Sequence, residues 1–374
     1  MDPFSVLWES RNYLIIVPVL SLLMLVHELG HFITARLSGM KVEEFGFGFP
    51  PRIVGKEVGG IIYSLNWIPL GAFVRILGED DPKEPGSFAS KPFLPRFIVL
   101  AAGSGMNFLL AVALFATAFA TGWPTPSSVQ AVIVGVQDGA PAQAAGLQAG
   151  DVILRVSGQP ADSLEKVQQV TRANAGGTVP FLIDRQGEEL TIPVTLRATW
   201  PNGAGPLGVQ LRERPVDIHL VAYPILESVA RGWERATKLV TLTLSIPALL
   251  IQGAVSPEQA RPISLPGMTQ LAGQAATESA ESGTPFPLLT LMAAFSAGLA
   301  VANLLPLPGL DGGRLLFLII EAVRGRRIAP ERAELVHAVG IAILLALMGV
   351  LIVSDIVSPP PPVDWGVPGN SGRR

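Results

Sequence analysis

Two histidines and a glutamate form the sequence HELGH at residues 27–31, directly after an uncharged apolar run. If this segment is helical, His27 and His31 lie on one face, so both imidazoles can bind one metal ion. Glu28 is then placed to take a proton from a metal-bound water. The alternative is a structural pair of histidines packed between helices. The apolar setting argues against that alternative, because ionisable side chains inside a membrane are costly and usually functional.

A catalytic zinc ion usually has three protein ligands and a water molecule, so HELGH alone is an incomplete site. The chain has no cysteine and four histidines, so the third ligand must be a histidine, an aspartate or a glutamate. Asp311, in the segment NLLPLPGLDGG, adjoins a later apolar run and is the stronger candidate. Asp311 could also cap the helix that follows it, and the two roles are compatible. His337 is the competing third ligand, although its place near the start of the last apolar run suits the membrane interface.

The composition is that of a membrane protein with a polar portion. Hydrophobic residues make up 49% of the chain and charged residues 15%, which is too apolar for an ordinary soluble domain. The net charge is −3 and both signs are dispersed, so nucleic acid is not expected as a partner. The absence of cysteine excludes disulfides, thiolate metal sites and cysteine nucleophiles.

Apolar runs predict a multi-pass α-helical membrane protein with about four transmembrane helices, each needing about 20 residues to cross a bilayer. The runs are residues 13–26, 97–121, 288–310 and 335–354. The first is read as a retained helix rather than a cleaved signal peptide. Residues 239–255 are borderline, and either an embedded helix or a fifth span fits them. His27 and Asp311 reach equal depth most easily when their helices run parallel, which requires a single span between them. Four spans are therefore favoured, with residues 239–255 embedded but not crossing.

The polar residues divide the chain into membrane and extramembrane parts. Arginines at positions 324–327 mark the loop before the last span as cytoplasmic, which places the active site toward the cytoplasmic side of the cell (inner) membrane. Residues 38–95 and 127–213 have β character. The predicted parts are a first membrane half (1–121) that includes the cytoplasmic-side β-hairpin region (38–95), an extracytoplasmic domain (127–213), a linker with an amphipathic or membrane-embedded helix (214–287), a second membrane half (288–354) and a disordered tail (355–374).

HELGH in the first membrane helix, together with NLLPLPGLDGG near the end of a later one, resembles the site-2 protease family of intramembrane zinc metalloproteases. Within that family it resembles the bacterial regulator-of-sigma-E-protease type with a single PDZ domain. The resemblance implies that His27, His31 and Asp311 bind one Zn²⁺ ion and that Glu28 activates water. The segments GFGF and PLGAFVRILGE are similar to the membrane-associated β-hairpin of that family. AAGSGMNFLLA resembles a family segment that places an asparagine at position 107, although Ser104 stands where many members have proline.

The polar segment DGAPAQAAGLQAGDVILRVSGQPADS resembles a PDZ domain of the bacterial protease type. PDZ domains bind an extended peptide by adding it as a strand to an exposed sheet edge. The sequence leaves three roles open for this domain, namely a peptide-binding groove, a size filter and a spacer.

The expected function is cleavage of transmembrane segments of membrane proteins, such as anti-sigma factors or remnant signal peptides. A helix hides its amides in internal hydrogen bonds, so the substrate must unwind, and the hairpin around residues 60–75 is predicted to pair with it. Candidate substrate-binding residues are Gly71, Arg75, Asn107 and Asn303. The expected partners are transmembrane proteins and membrane lipids.

Two other functional classes compete with the protease interpretation. A metal transporter would repeat acidic or histidine residues along several spans, and the charge-free run 97–121 argues against it. A non-catalytic membrane scaffold built on the PDZ domain would not need Glu28 between the two histidines.

Overall fold

The structure is a computed structural model that describes residues 14–78, 84–200, 205–258, 260–328 and 330–368. The chain divides into two compact units. Unit 1 comprises Met1–Trp123 and Ala222–Trp365, and unit 2 comprises Pro124–Val221 and Gly366–Arg374.

Helices account for most of unit 1, and strands are the main regular structure of unit 2. In chain order the helices are α1 Ile16–Leu37, α2 Phe93–Gly122, α3 Pro141–Ala144, α4 Leu164–Ala173, α5 Ile225–Ile251, α6 Leu265–Ser282, α7 Phe286–Leu304, α8 Asp311–Arg324 and α9 Pro330–Val357. The strands are β1 Val42–Val58, β2 Ile61–Ile76, β3 Trp123–Val136, β4 Val152–Val156, β5 Gln159–Pro160, β6 Thr178–Arg185, β7 Glu188–Thr195 and β8 Val209–Val221.

Within the described part of the chain, four helices are long and apolar enough to cross a membrane: α1, α2, α7 and α9. They coincide with the four predicted apolar runs. The run predicted over 288–310 ends as a helix at Leu304, because prolines at 306 and 308 cannot continue the helical hydrogen bonding. The borderline segment 239–255 forms the end of α5, which stops at Ile251, so its last residues lie outside the helix.

The prediction of a disordered tail from residue 355 is wrong at its beginning. Helix α9 continues to Val357 because the apolar sequence does not end at residue 354. Asp355 is buried and accepts hydrogen bonds from the backbone N–H (2.7 Å) and Oγ (2.5 Å) of Ser264. Trp365 packs against the cluster that contains Ile16 and Leu271. Residues 369–374 of the predicted tail lie outside the described residues.

Small residues allow the helices of unit 1 to pack closely, as is usual where lipid supplies no hydrophobic driving force. A side chain at Gly30 of α1 would place its Cβ 2.5 Å from the Ala102 carbonyl oxygen of α2. Buried alanines line the contact of α2 with α5 and α7. Ser296 of α7 donates its hydroxyl to the backbone oxygen of Asn107 (2.7 Å). Helix backbones therefore approach closely enough for a short polar side chain to hydrogen-bond to the backbone of a neighbouring helix.

The β1–β2 hairpin turns at Gly59 and Gly60, both of which have positive φ. Phe45 in β1 lies opposite Val74 on one side and Tyr63 on the other, so the first half of β1 is central. Among the described residues, the segment 72–76 pairs on one side only, with β1. The hairpin therefore has a strand edge along residues 72–76, and this is the part of it that packs beside α1.

Unit 2 is built on a six-stranded sheet with the order β7-β6-β4-β3-β8, and β5 pairs with β4. Its core consists of fully buried apolar side chains, among them Ile133, Ile153 and Phe181. Helix α4 begins after Ser163, whose Oγ accepts the Lys166 N–H (3.2 Å) as an N-cap. The predicted domain 127–213 lies inside this unit, which extends to Val221 because β8 continues beyond residue 213.

Candidate active site

The structure brings together the three residues that the sequence suggests as metal ligands. His27 and His31 lie one turn apart on α1, and Asp311 is the first residue of α8. Asp311 Oδ2 lies 3.0 Å from His27 Nε2 and 3.3 Å from His31 Nε2, and the two Nε2 atoms are 3.1 Å apart. Among the described residues these three form the cluster of histidine and carboxylate groups that could hold a metal ion.

These three atoms fit a zinc ion. Zinc with nitrogen and oxygen ligands at about 2.0–2.1 Å in tetrahedral geometry separates its ligands by about 3.3 Å, close to the separations observed. The space in front of the nitrogens is kept open by Gly103 of α2. A Cβ on Gly103 would lie 2.6 Å from His27 Nε2 and closer still to His31 Nε2. The missing side chain therefore leaves room on the face where the ion would bind.

Two glycines after Asp311 allow its carboxylate to reach the histidines. A Cβ on Gly312 or Gly313 would lie closer than 3.0 Å to the backbone oxygens of Leu305 and Leu307, respectively. The loop 305–310 thus crosses tightly over the first turn of α8. The alternative role that the sequence left open for Asp311, as the N-cap of this helix, does not apply, because Leu310 occupies the N-cap position and Asp311 is the first helical residue. Its carboxylate faces the imidazoles instead.

Groups behind the ligands orient the two imidazole rings. His31 Nδ1 lies 2.7 Å from the Val99 carbonyl oxygen, so the ring donates its Nδ1–H and leaves the Nε2 lone pair toward the site. His27 Nδ1 lies 3.3 Å from Asn107 Nδ2 and 3.4 Å from Asn303 Nδ2. A His27 that binds metal through Nε2 carries its proton on Nδ1, and an asparagine amide that is turned to present its oxygen can accept that proton. The structure thus places both asparagines against His27, and their predicted contact with substrate stays a prediction.

Glu28 joins the site to the hairpin. Its Oε2 accepts the backbone N–H of Val74 at 3.1 Å, so the carboxylate is held at a fixed orientation beside the two histidines. The hairpin is also attached to α1 one turn before Glu28, where Met24 packs against Gly71. It is attached again two turns before Glu28, where Ser21 Oγ donates to the Pro69 carbonyl (2.9 Å). These contacts hold the hairpin edge against α1, next to Glu28.

Gly71 and Arg75 were predicted to contact substrate, and the structure gives each of them a contact within unit 1. A Cβ on Gly71, which has a φ of 79°, would lie 2.7 Å from the Met24 methyl carbon. Arg75 Nη1 lies 3.4 Å from Oε2 of the buried Glu44, and 58% of the Arg75 side chain is exposed. Contact of either residue with substrate stays a prediction.

Sequence reasoning missed Gly103, the Val99 carbonyl and the Val74 N–H. A signal for Gly103 exists, because in AAGSGMN it precedes Asn107 by four residues and therefore shares a helix face with it. The two backbone groups have no sequence signal, because every residue other than proline offers the same N–H and carbonyl.

Comparisons with known proteins agree with this geometry. The profile of the family described as "Peptidase family M50" matches residues 15–347. A protein of Clostridium perfringens is 31% identical over 345 residues, covering 91% of this chain and 96% of the relative. A protein of Brucella suis is 29% identical over 385 residues (95% and 99%), and one of Clostridium acetobutylicum is 27% identical over 352 residues (93% and 98%). All three carry the description "putative zinc metalloprotease".

Proposed function

The chain belongs to peptidase family M50, the site-2 protease family of zinc metalloproteases, and from this premise we propose that it cleaves transmembrane segments inside the membrane. The observation that carries the proposal is the position of the candidate site. His27 and His31 are buried near the middle of α1, one of the four helices apolar enough to cross a membrane. Eleven residues of α1 precede His27, which corresponds to about 16 Å of helix. This is the depth at which the peptide bonds of a membrane-embedded substrate lie.

Each residue of the site has a role in peptide hydrolysis. His27, His31 and Asp311 would hold the zinc ion, which when bound polarises a carbonyl oxygen and lowers the pKa of water. Glu28 takes the proton of the attacking water and passes it to the leaving amine. The Val74 N–H keeps the accepting carboxylate oxygen of Glu28 in one orientation. The Val99 carbonyl fixes the His31 ring in the tautomer that presents Nε2.

The substrate must present an extended segment, because the amides of an intact helix are engaged in internal hydrogen bonds. We propose that the unwound segment pairs with the hairpin as an added strand. Residues 72–76 support this proposal, because they pair on one side only in the described sheet and lie next to Glu28. Gly71, Arg75, Asn107 and Asn303 surround this edge and the His27 ring, and they remain the proposed contacts of the substrate backbone.

Unit 2 is proposed to be the PDZ domain. A groove of about 200 Å³ lies between α4 and the first residues of β8, lined by apolar side chains such as Leu164, Val167 and Leu207. Strand β8 stands at the end of the sheet order, so a peptide can be added along it. Arg172 at the end of α4 also lines the groove and supplies a positive charge for a terminal carboxylate. The groove favours peptide docking over a spacer, and a size filter is the alternative role.

The proposed location is the cell (inner) membrane, as a multi-pass protein in contact with lipid. Arg324 ends α8, and Arg326 and Arg327 follow it before α9. Basic residues in and beside short loops favour the cytoplasmic side. With four spans, the active site opens toward the cytoplasm and unit 2 is extracytoplasmic. The proposed substrates are membrane proteins of the kind expected for this family, such as anti-sigma factors or remnant signal peptides.

The test separates metal binding from catalysis. Glu28→Gln keeps the volume of the side chain but removes the base, so the purified full-length variant should retain about one zinc ion per chain and lose cleavage of a model transmembrane substrate. The matched control is Glu234→Gln on the exposed face of α5, which should retain both properties. Undiminished cleavage by the Glu28 variant would refute the mechanism, and a wild-type chain without zinc would refute the site.

A further inference from the structure

The loop 305–310, which leads into Asp311, lies against α9 at His337 and Gly340. Gly309 in this loop has a φ of 93°, and its backbone N–H donates to His337 Nδ1 at 2.9 Å. We propose that His337 is a positioning residue for the metal site, acting through Gly309 to hold Asp311 in reach of the two histidines. The proposal rests on Asp311 being a zinc ligand. The sequence had suggested His337 as a competing ligand, and the structure assigns it a different task.

The loop and α9 fit each other closely around this hydrogen bond. A Cβ on Gly340, one turn after His337, would lie closer than 3.0 Å to the side chain of Pro308 and 2.7 Å from its carbonyl oxygen. A Cβ on Gly309 would lie 2.8 Å from Ile341 Cγ1. The loop therefore occupies a notch that the missing side chain of Gly340 opens in α9.

The imidazole itself is fixed by the helix that Asp311 begins. The rings of His337 and Phe317 of α8 are 5.2 Å apart and nearly perpendicular. Asp311 and Phe317 belong to the same helix, so α8, the loop and the start of α9 form a closed set of contacts. A shift of the His337 ring would therefore move the loop at Gly309, two residues before Asp311.

The Gly309 N–H needs this partner because the loop offers few alternatives. The prolines at 306 and 308 have no N–H and interrupt the helix, and a backbone N–H that is withdrawn from water without a partner costs free energy. The N–H groups of Leu305, Leu307 and Leu310 donate to the carbonyls of Ala302, Leu305 and Leu307, respectively. Apart from its contacts with this loop, Phe317 and α6, the apolar stretch of α9 is largely exposed. The hydrogen bond to His337 is thus a main attachment of the loop to the last helix.

The test uses two substitutions of similar size and branching, only one of which keeps a hydrogen-bond acceptor. In His337→Asn an amide oxygen can stand where Nδ1 stood, whereas His337→Leu puts a methyl group there. Zinc affinity of the full-length protein in nanodiscs would be measured by chelator competition, and the visible spectrum after cobalt substitution would report the geometry of the ligands. We expect at least a tenfold loss of zinc affinity and an altered cobalt spectrum for His337→Leu, with the asparagine variant within about threefold of wild type.

Two controls make the outcomes distinct. Ile343→Ala, at a 62% exposed position of α9, should leave zinc affinity unchanged. Asp311→Ala should abolish tight zinc binding. If Asp311→Ala loses zinc but His337→Leu binds like wild type, the positioning role is refuted and the proposed site stands. Equal losses in the leucine and asparagine variants, or a leucine variant that does not fold while the asparagine variant loses zinc, would also refute it. Tight zinc binding by Asp311→Ala would instead refute the proposed site.

Discussion

Gly103 shows how an absent side chain shapes the site. Its position in α2 faces both Nε2 atoms, and the ion would occupy the space that a Cβ would fill. The proposed zinc site therefore depends on Gly103 as well as on its three ligands. Only glycine leaves this space open, because alanine, the next smallest residue, already has a Cβ.

We therefore predict that Gly103→Ala lowers zinc affinity by at least tenfold while the chain still folds, because the added methyl group competes with the ion for space. Zinc content after gel filtration and helical circular dichroism would be measured together. Gly105→Ala is the matched control, since it adds the same methyl group two residues away, where nothing lies within 4 Å. Full zinc content in Gly103→Ala would contradict this explanation of the open space.

At the residue scale, the sequence predicted the side chains of the candidate site but not the groups that contact them. HELGH and LDGG are readable because a metal needs imidazoles and carboxylates at particular spacings. The Val99 carbonyl and Val74 N–H are backbone groups, so only the folded chain reveals them. Asn107 and Asn303 were recognised as important, yet their contact with His27 depends on three helices meeting, which no local pattern encodes.

At the scale of elements, apolar length predicted the spanning helices, and proline positions predicted the break before Asp311. The packing partner of α5 could not be predicted, because small residues allow close contact without specifying the neighbour. Gly232 of α5 meets α2 so closely that a Cβ would lie 2.7 Å from the Val112 oxygen and 2.8 Å from the Ala116 nitrogen. Both of these are backbone atoms, which cannot rotate away.

Gly232→Ala is accordingly expected to destabilise unit 1 by about 1–3 kcal/mol, because overpacking forces two helices apart. Unfolding would be followed in detergent with a denaturant titration. Gly298→Ala in α7 is the control, since no atom lies within 4 Å of its Cβ position. Replacing a helical glycine by alanine without a clash should leave stability equal or raise it by up to about 1 kcal/mol. Equal behaviour of the two variants would show that α5 does not pack tightly on α2.

At the scale of the whole molecule, composition separated a polar β unit from an apolar helical unit. The β unit is larger than the predicted 127–213, because β8 runs on to Val221 with alternating exposure that continues the sheet. The sequence could not predict which distant residues form ion pairs inside this unit. Asp151 and Arg185 are 34 residues apart, yet the carboxylate accepts from Nε at 2.7 Å and from Nη2 at 2.8 Å.

This ion pair makes the stability of unit 2 depend on pH. Burial raises the pKa of the Asp151 carboxyl, but hydrogen bonds from Arg185 and from the Gln148 N–H outweigh burial and hold that pKa below its usual range. A carboxyl whose pKa is lowered on folding stabilises the fold above its unfolded pKa, about 3.9, and loses this stabilisation as the pH falls through the folded value. The stabilisation of unit 2 by the Asp151 carboxylate should therefore be present at pH 5 and decrease progressively below about pH 4.

Asp151→Asn should remove this part of the pH dependence and cost unit 2 roughly 1–3 kcal/mol at neutral pH, because Arg185 and the Gln148 N–H lose a charged acceptor. Hydrogen exchange of β4 and β6 in the full-length protein, corrected for intrinsic exchange rates between pH 2.5 and 6, measures both effects. Asp162→Asn is the control, since Asp162 forms only an exposed ion pair with Lys166 on the surface, and such pairs contribute little. An unchanged pH profile in Asp151→Asn would show that another carboxylate governs the acid stability of unit 2.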